Sequence, residues 1–235
     1  MKAAKAKKTL RKLASKSEAK KIKIFFKTGK GQYAEGDLFL GIKVPLIRKV
    51  AAQFSKMSLS EINILLKSRW HEERLLALVL LTNNFQQNQN LRDAICKLYL
   101  DNTRYINNWD LVDISAPHIV GQHLLRKKKK PLYKLARSKN LWERRIAIIS
   151  TFAFIRQNDF ADTLKLSEIL LNDTHDLIHK AVGWMLREVG KRDTDALVQF
   201  LNKHAHHMPR TSLRYAIEKF TKSKKQFYLK NTLAV

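Results

Sequence analysis

The sequence is poor in the residues that bend and break a chain. Seven glycines and four prolines in 235 residues are too few for the turns of a sandwich or barrel, and no Walker or dinucleotide-binding glycine pattern is present. A single cysteine, Cys96, excludes an intrachain disulfide and makes a reducing compartment the simpler expectation. Long apolar runs are missing too. The longest, Leu75 to Leu81, falls far short of the roughly 20 residues a membrane-spanning helix needs. No apolar core follows the basic N-terminus, so nothing points to secretion. Acids are the last scarcity, at 20 Asp and Glu against 46 Lys and Arg.

The resulting formal charge is +26. It gathers in residues 1–23, which hold ten cations and one acid, Glu18, in the unbroken run Arg126 to Lys130, and in Lys222, Lys224, Lys225 and Lys230. Such a surface attracts a polyanion by counterion release, with affinity that falls as salt rises. A solvated surface that only aids solubility is the plainer alternative, and an anionic membrane would need a strongly amphipathic Lys/Trp helix that does not stand out. Nucleic acid is the expected partner. With 45% apolar residues the chain can bury a core, and its length suits one large domain or two small ones.

The apolar spacing is helical almost throughout, as in Leu75, Leu76, Leu78 and Val79, in Ile146, Ile149, Ala153 and Phe154, and in Ala181, Met185 and Val189. Strand-like alternation is scarce, so the expected class is all-α. A period is visible when the helices are superposed. Arg74 in HEERLLAL, Asp110 in NWDLVD, Arg145 in ERRIAI, Lys180 in IHKAVG and Arg214 in LRYAIE follow one another at intervals of about 35 residues. Repeats of that length in a helical chain indicate stacked helix pairs, an α-solenoid with a concave basic groove; an irregular bundle is the alternative.

Counting from the repeated position, Trp109 lies at −1, Arg145 at zero, Asp113 at +3 and Trp184 at +4. At about 100° per residue these fall within an arc of about 140°, so two indoles, a carboxylate and a guanidinium are expected to share one groove. A lone acid among phosphate-binding cations is useful where a cation develops beside it, as at C1′ when an N-glycosidic bond breaks. Alkylated purines already carry positive charge and leave without much help from an acid. Other roles remain open for each residue: packing for the tryptophans, a helix N-terminal acid for Asp110, a surface partner for Asp113, an ion pair between repeats for Arg145. His175 and His179 are spaced for one helix face but lack a third ligand, and HEER at 71–74 is not a zinc motif, so neither metal nor cofactor is expected.

The segments NNWDLVDISAPHIVG (107–121), LWERRIAIISTF (141–152) and KAVGWMLREVGKRD (180–193), with FLGIKVPLIRKVA (39–51) ahead of them, resemble the AlkD-type DNA alkylation repair glycosylases over roughly residues 20–220. The resemblance implies a fold of HEAT-like helical repeats. It also implies excision of 3-methyladenine and 7-methylguanine from duplex DNA without full extrusion of the base. It makes Asp113 the catalytic carboxylate, Trp109 and Trp184 the rings that shape the site, and Arg145 a backbone contact. Arg144, Lys180, Arg187 and Arg74 are expected beside them as further DNA-binding cations. Residues 1–20 match nothing in that pattern and are expected to be a basic extension, flexible or DNA-grasping, ahead of a single domain over 21–230. A cytoplasmic, nucleoid-associated monomer is the expected form. A repeat scaffold that binds nucleic acid or protein without catalysis is the competing expectation.

Overall fold

The computed structural model describes residues 1–230 and contains no strand among them. It divides into two compact units, one ending at Ile119 and the other beginning at Val120. The first holds α1 (Ala3–Arg11), α2 (Lys16–Phe25), α3 (Val44–Gln53), α4 (Leu59–Leu66), α5 (His71–Gln87), α6 (Arg92–Asp101) and α7 (Trp109–Asp113). The second holds α8 (Gln122–Leu124), α9 (Lys130–Ala136), α10 (Leu141–Ser150), α11 (Phe152–Ile155), α12 (Ala161–Leu170), α13 (Asp176–Gly190), α14 (Thr194–His204), α15 (Arg210–Ala216) and α16 (Lys222–Lys230). The all-α expectation holds.

The core of the first unit is α5, buried without interruption from His71 to Leu81. The apolar run singled out in the sequence is thus a central helix, apolar on every side because neighbours surround it. α3 and α4 pack on it. Local chemistry sets the helix starts: Ser15 and Ser58 accept the amides of Glu18 and Glu61, the Ser-x-x-Glu pattern of a capping box.

The basic N-terminus is not a separate extension. Ala3, Ala6 and Leu10, at helical spacing, are buried, and α1 packs on α3 and α4. Its cations are also tied in, with Arg11 Nε 2.7 Å and Lys7 Nζ 3.5 Å from the buried Glu73. The physical reason is that a helix with an apolar stripe buries it, whatever the charge on its other face. No boundary therefore falls at residue 20.

Between α2 and α3 the chain folds over a second buried carboxylate. Glu72 accepts from the amides of Leu40 (2.9 Å), Gly41 (2.8 Å) and Ile42 (3.3 Å). Gly41 has φ +79°, and a Cβ there would strike the backbone of Ser15 and Ala19, so this turn requires glycine.

In the second unit, α10 packs on α9, α12 and α13, and α13 packs on α12, α14 and α15. The helices α10, α13 and α15 begin at Leu141, Asp176 and Arg210, so the expected period is kept, and Arg145, Lys180 and Arg214 are each the fifth residue of theirs. Close backbone crossings recur with it. A Cβ on Gly121 would meet the Ser150 carbonyl, and one on Gly183 the Ser212 carbonyl, at the same separation along the chain in both cases.

A chemical repeat also links α5 with α10. In KSRWHEER (67–74) and RSKNLWER (137–144) the serine hydroxyl accepts the amide two residues on, at 3.1 Å for Ser68 and 3.0 Å for Ser138. The arginine then returns to the carbonyls six and five residues before it: Arg74 to Ser68 and Arg69 at 3.1 and 3.2 Å, Arg144 to Ser138 and Lys139 at 3.0 Å each. Arg74 therefore corresponds to Arg144, one residue away from the register expected with Arg145.

Candidate active site

The five-residue helix α7 carries Trp109, Asp110 and Asp113. Leu111 and Val112 point into the first unit and are buried, which leaves Trp109 and Asp113, one helical turn apart, on a shared half-buried face. Asn108 starts the helix by accepting the Trp109 amide at 2.8 Å.

The two acids of WDLVD have different surroundings. Asp110 spends both oxygens inside the protein: Oδ1 accepts the Leu111 amide at 2.9 Å, and Oδ2 lies 2.8 Å from His71 Nε2. Asp113 is half-buried, and its charge acts on Tyr99 beneath it. Burial first, then Asp113, pushes the Tyr99 phenol well above its ordinary value. That phenol stays protonated and meets Ser115 Oγ at 3.0 Å, while Ser115 donates to the Leu111 carbonyl at 2.5 Å.

His71 is buried at the start of α5 between two carboxylates, with Nδ1 3.5 Å from Asp37 Oδ2, an ion-pair distance too long for a good hydrogen bond. Burial alone would drive the imidazole toward neutrality. Asp110 and Asp37 outweigh both that and the repulsion of Arg74, and the pKa rises from 6.5 to about 9. Asp37 is the converse case. Burial would raise its carboxyl, but His71, Arg74 and Asn108 hold it below the ordinary carboxylate value.

An aromatic column covers this cluster. Phe39 stacks on the His71 ring at 4.6 Å, Phe26 on Phe39 at 5.2 Å, and Trp109 on Phe26 at 5.3 Å, 23° from parallel. Trp109 is thus an edge of a packed cluster and does not stand freely in solvent. Phe25, 65% exposed, and Ile24, 82% exposed, lie at the same end of α2, where Phe25 meets Trp109 edge-on.

Arg74, expected to bind DNA, sits inside this cluster. It is 4% exposed, with Nη2 2.7 Å from the buried Asp37. A guanidinium so enclosed and neutralised has no donor to offer a phosphate, and Arg74 is a structural residue. In the second unit Arg145 is 5% exposed and donates from Nη1 to the Leu177 carbonyl at 2.6 Å, which ties α10 to α13. Arg144 pairs with Asp173 at 2.5 Å, Lys180 with Asp176 at 2.7 Å, and Arg187 with Glu188 at 3.5 Å and with Glu218. Trp184 on α13 is half-buried beside Phe152, ring centres 5.9 Å apart. His175 caps α13, its Nδ1 accepting the Leu177 amide at 3.1 Å. Burial lowers its pKa, as a neutral acceptor requires.

A family model described as DNA alkylation repair enzyme matches residues 6–220. The chain belongs to this family. The match starts inside α1, in keeping with a first helix that is part of the fold. Among curated proteins none matches the sequence. Among solved structures, a predicted DNA alkylation repair enzyme from Enterococcus faecalis superposes with a TM-score of 0.67 at 18% identity, covering 89% of this chain and 97% of that one. At that identity the likeness establishes the fold. It supports an all-α, helical-repeat architecture, and the family makes the chain an enzyme of DNA alkylation repair with DNA as its substrate.

Of this site, sequence reasoning missed His71 and Asp37. The only signal for His71 was its place before the two glutamates of HEER, and Asp37 had none. The contacts of His71 with Asp37 and Asp110 join segments far apart along the chain, and no periodicity reports pairings of that kind. No helix of the described residues is long and apolar enough to cross a membrane.

Proposed function

We propose that within this family the chain is a DNA glycosylase that hydrolyses the N-glycosidic bond of cationic alkylated purines, 3-methyladenine and 7-methylguanine, in duplex DNA, without full extrusion of the base. The observation that carries this reading is the face that Asp113 and Trp109 share on α7. Asp113 lies one helical turn from Trp109 on the same half-buried face, whereas Asp110 turns to His71 and the Leu111 amide.

In the reaction the C1′–N9 bond breaks and its electron pair leaves with the base, discharging the purine cation. Positive charge appears on the deoxyribose, and the Asp113 carboxylate stabilises it at close range. A water oxygen bonds to C1′, its proton passes to Asp113 or to solvent, and an abasic site and the free base result. Trp109, held flat by Phe26, presents an indole face to the cationic sugar and base. Trp184 is assigned the same kind of contact through the resemblance. Lys180, Arg187 and Arg144 are the proposed phosphate contacts. Arg145, 5% exposed, adds its charge to theirs.

The test is release of free base from duplex DNA carrying 7-methylguanine. Asp113→Asn should slow release by roughly 10²–10³-fold while duplex affinity holds or rises, because a negative charge leaves a polyanion-binding surface. Binding of DNA with no base released by wild type or variant would point instead to a non-catalytic repeat scaffold.

A further inference from the structure

We propose that His71 is a positioning residue for the reaction: by gripping Asp110 it fixes the helix that carries Trp109 and Asp113. This rests on the reading of those two residues given above.

A helix of five residues cannot hold its own shape, since its first turn costs more than so few hydrogen bonds return. α7 must therefore be pinned by contacts from elsewhere. Besides the bonds from Asn107 and Asn108 to Asp37 just ahead of it, three pins hold the helix itself. One is the hydroxyl chain in which Tyr99 meets Ser115 and Ser115 donates to the Leu111 carbonyl. The second is the seat of Trp109 on Phe26. The third is the bond from His71 Nε2 to Asp110 Oδ2, at 2.8 Å.

His71 takes part in two of the three. It holds Asp110 directly, and Phe26, which carries Trp109, lies 5.2 Å from the imidazole, with Phe39 stacked on both rings. The imidazole is itself immobile. It opens a helix buried without interruption from His71 to Leu81, its backbone amide donates to the Leu38 carbonyl at 2.8 Å, and its other nitrogen faces Asp37, which Arg74 holds in turn. The acid next in sequence to the indole is thereby clamped to the rigid centre of the unit. A shift of about 1 Å in a reacting group can cost about 10²-fold in rate, so loosening Asp110 should be felt at Asp113 although His71 touches no substrate.

Two neutral substitutions separate this role from simple packing. The side-chain amide of His71→Gln reaches the place of Nε2 and can still donate to Asp110. That of His71→Asn reaches only the place of Nδ1 and keeps Asp37 alone. Both remove the same charge and the same ring. Single-turnover release of 7-methylguanine should fall about 10- to 100-fold in H71N and stay within about threefold of wild type in H71Q, with duplex Kd within about twofold in both. Amide hydrogen exchange over residues 107–115 should quicken in H71N and not in H71Q.

Equal losses in the two variants, or no loss in either, would overturn the inference. If wild type itself releases no alkylated base, the glycosylase reading fails. The positioning claim is then decided by the exchange of residues 107–115 alone, upheld by an H71N-specific increase and sunk without one. Should H71N not fold, Asp110→Ala opens the same bond from the half-buried side. A 10- to 100-fold slower release supports the inference, and an unchanged rate refutes it.

Discussion

At the residue scale the chemistry turns on which charges are spent and which are kept. Four acids of the first unit, Asp37, Glu72, Glu73 and Asp110, are engaged by His71 and Arg74, by three consecutive amides, by Arg11 and Lys7, and by His71. In a chain of +26 the few carboxylates are mostly devices for holding cations and loops in place. This makes stability dependent on pH in a particular direction. His71 titrates near 6.5 when unfolded and at about 9 when folded, so the folded state holds a proton that the unfolded state has lost between those values. Its contribution is complete below pH 6.5 and gone above 9. The urea midpoint should therefore decline from pH 6 to pH 9.5 in wild type, and the decline should be smaller in H71Q. Asp37, held low, acts in the opposite range, its contribution vanishing as pH falls through its folded pKa. The sequence made Asp113 and Trp109 visible because they lie within one short motif. It concealed His71, whose partners Asp37 and Asp110 belong to distant stretches on either side of it, and it presented Arg74 as a surface cation because nothing local distinguishes a buried guanidinium from an exposed one.

At the scale of elements, the helical spacing was legible and the exact alignment of repeats was less so. Apolar positions three and four apart marked α13 correctly, since it buries one side against its neighbours. The same spacing marked α5 and α10 as helices, but Leu75 to Leu81 and Arg145 to Ser150 are enclosed on all sides. The repeat interval survives in α10, α13 and α15, but between α5 and α10 the serine–arginine hydrogen bonds fix the alignment one residue from the apparent one. Glycine marks where helices cross most closely. Gly183→Ala would drive a Cβ into the Ser212 carbonyl and Tyr215, so α13 and α15 must separate. A loss of roughly 1–3 kcal/mol is expected from overpacking of this kind, read as a lower urea midpoint with an unchanged slope. The same substitution at Gly31, where no atom lies within 4 Å but φ is +73°, should cost less, about 1 kcal/mol from backbone strain alone.

For the whole molecule, excess charge is the property that composition announced most plainly, and the structure shows how much of it is already engaged. Arg74 is enclosed against Asp37, so the cations available to phosphates are fewer than the count of Lys and Arg suggests. Duplex binding should still weaken by at least roughly tenfold between about 50 and 200 mM salt, since neutralising several phosphates releases several counterions. A flat response in a salt titration would show that the charge serves solubility alone.

The first helices of the chain also bear on how the protein can be handled. The Ala3 amide meets the Glu61 carboxylate at 2.6 Å, Arg11 reaches the glutamate two residues beyond His71, and Phe26 at the end of α2 is the surface on which Trp109 lies. Trimming α1 and α2 as if they were dispensable would strip Phe26 from under the indole, and an N-terminal purification handle belongs behind a spacer.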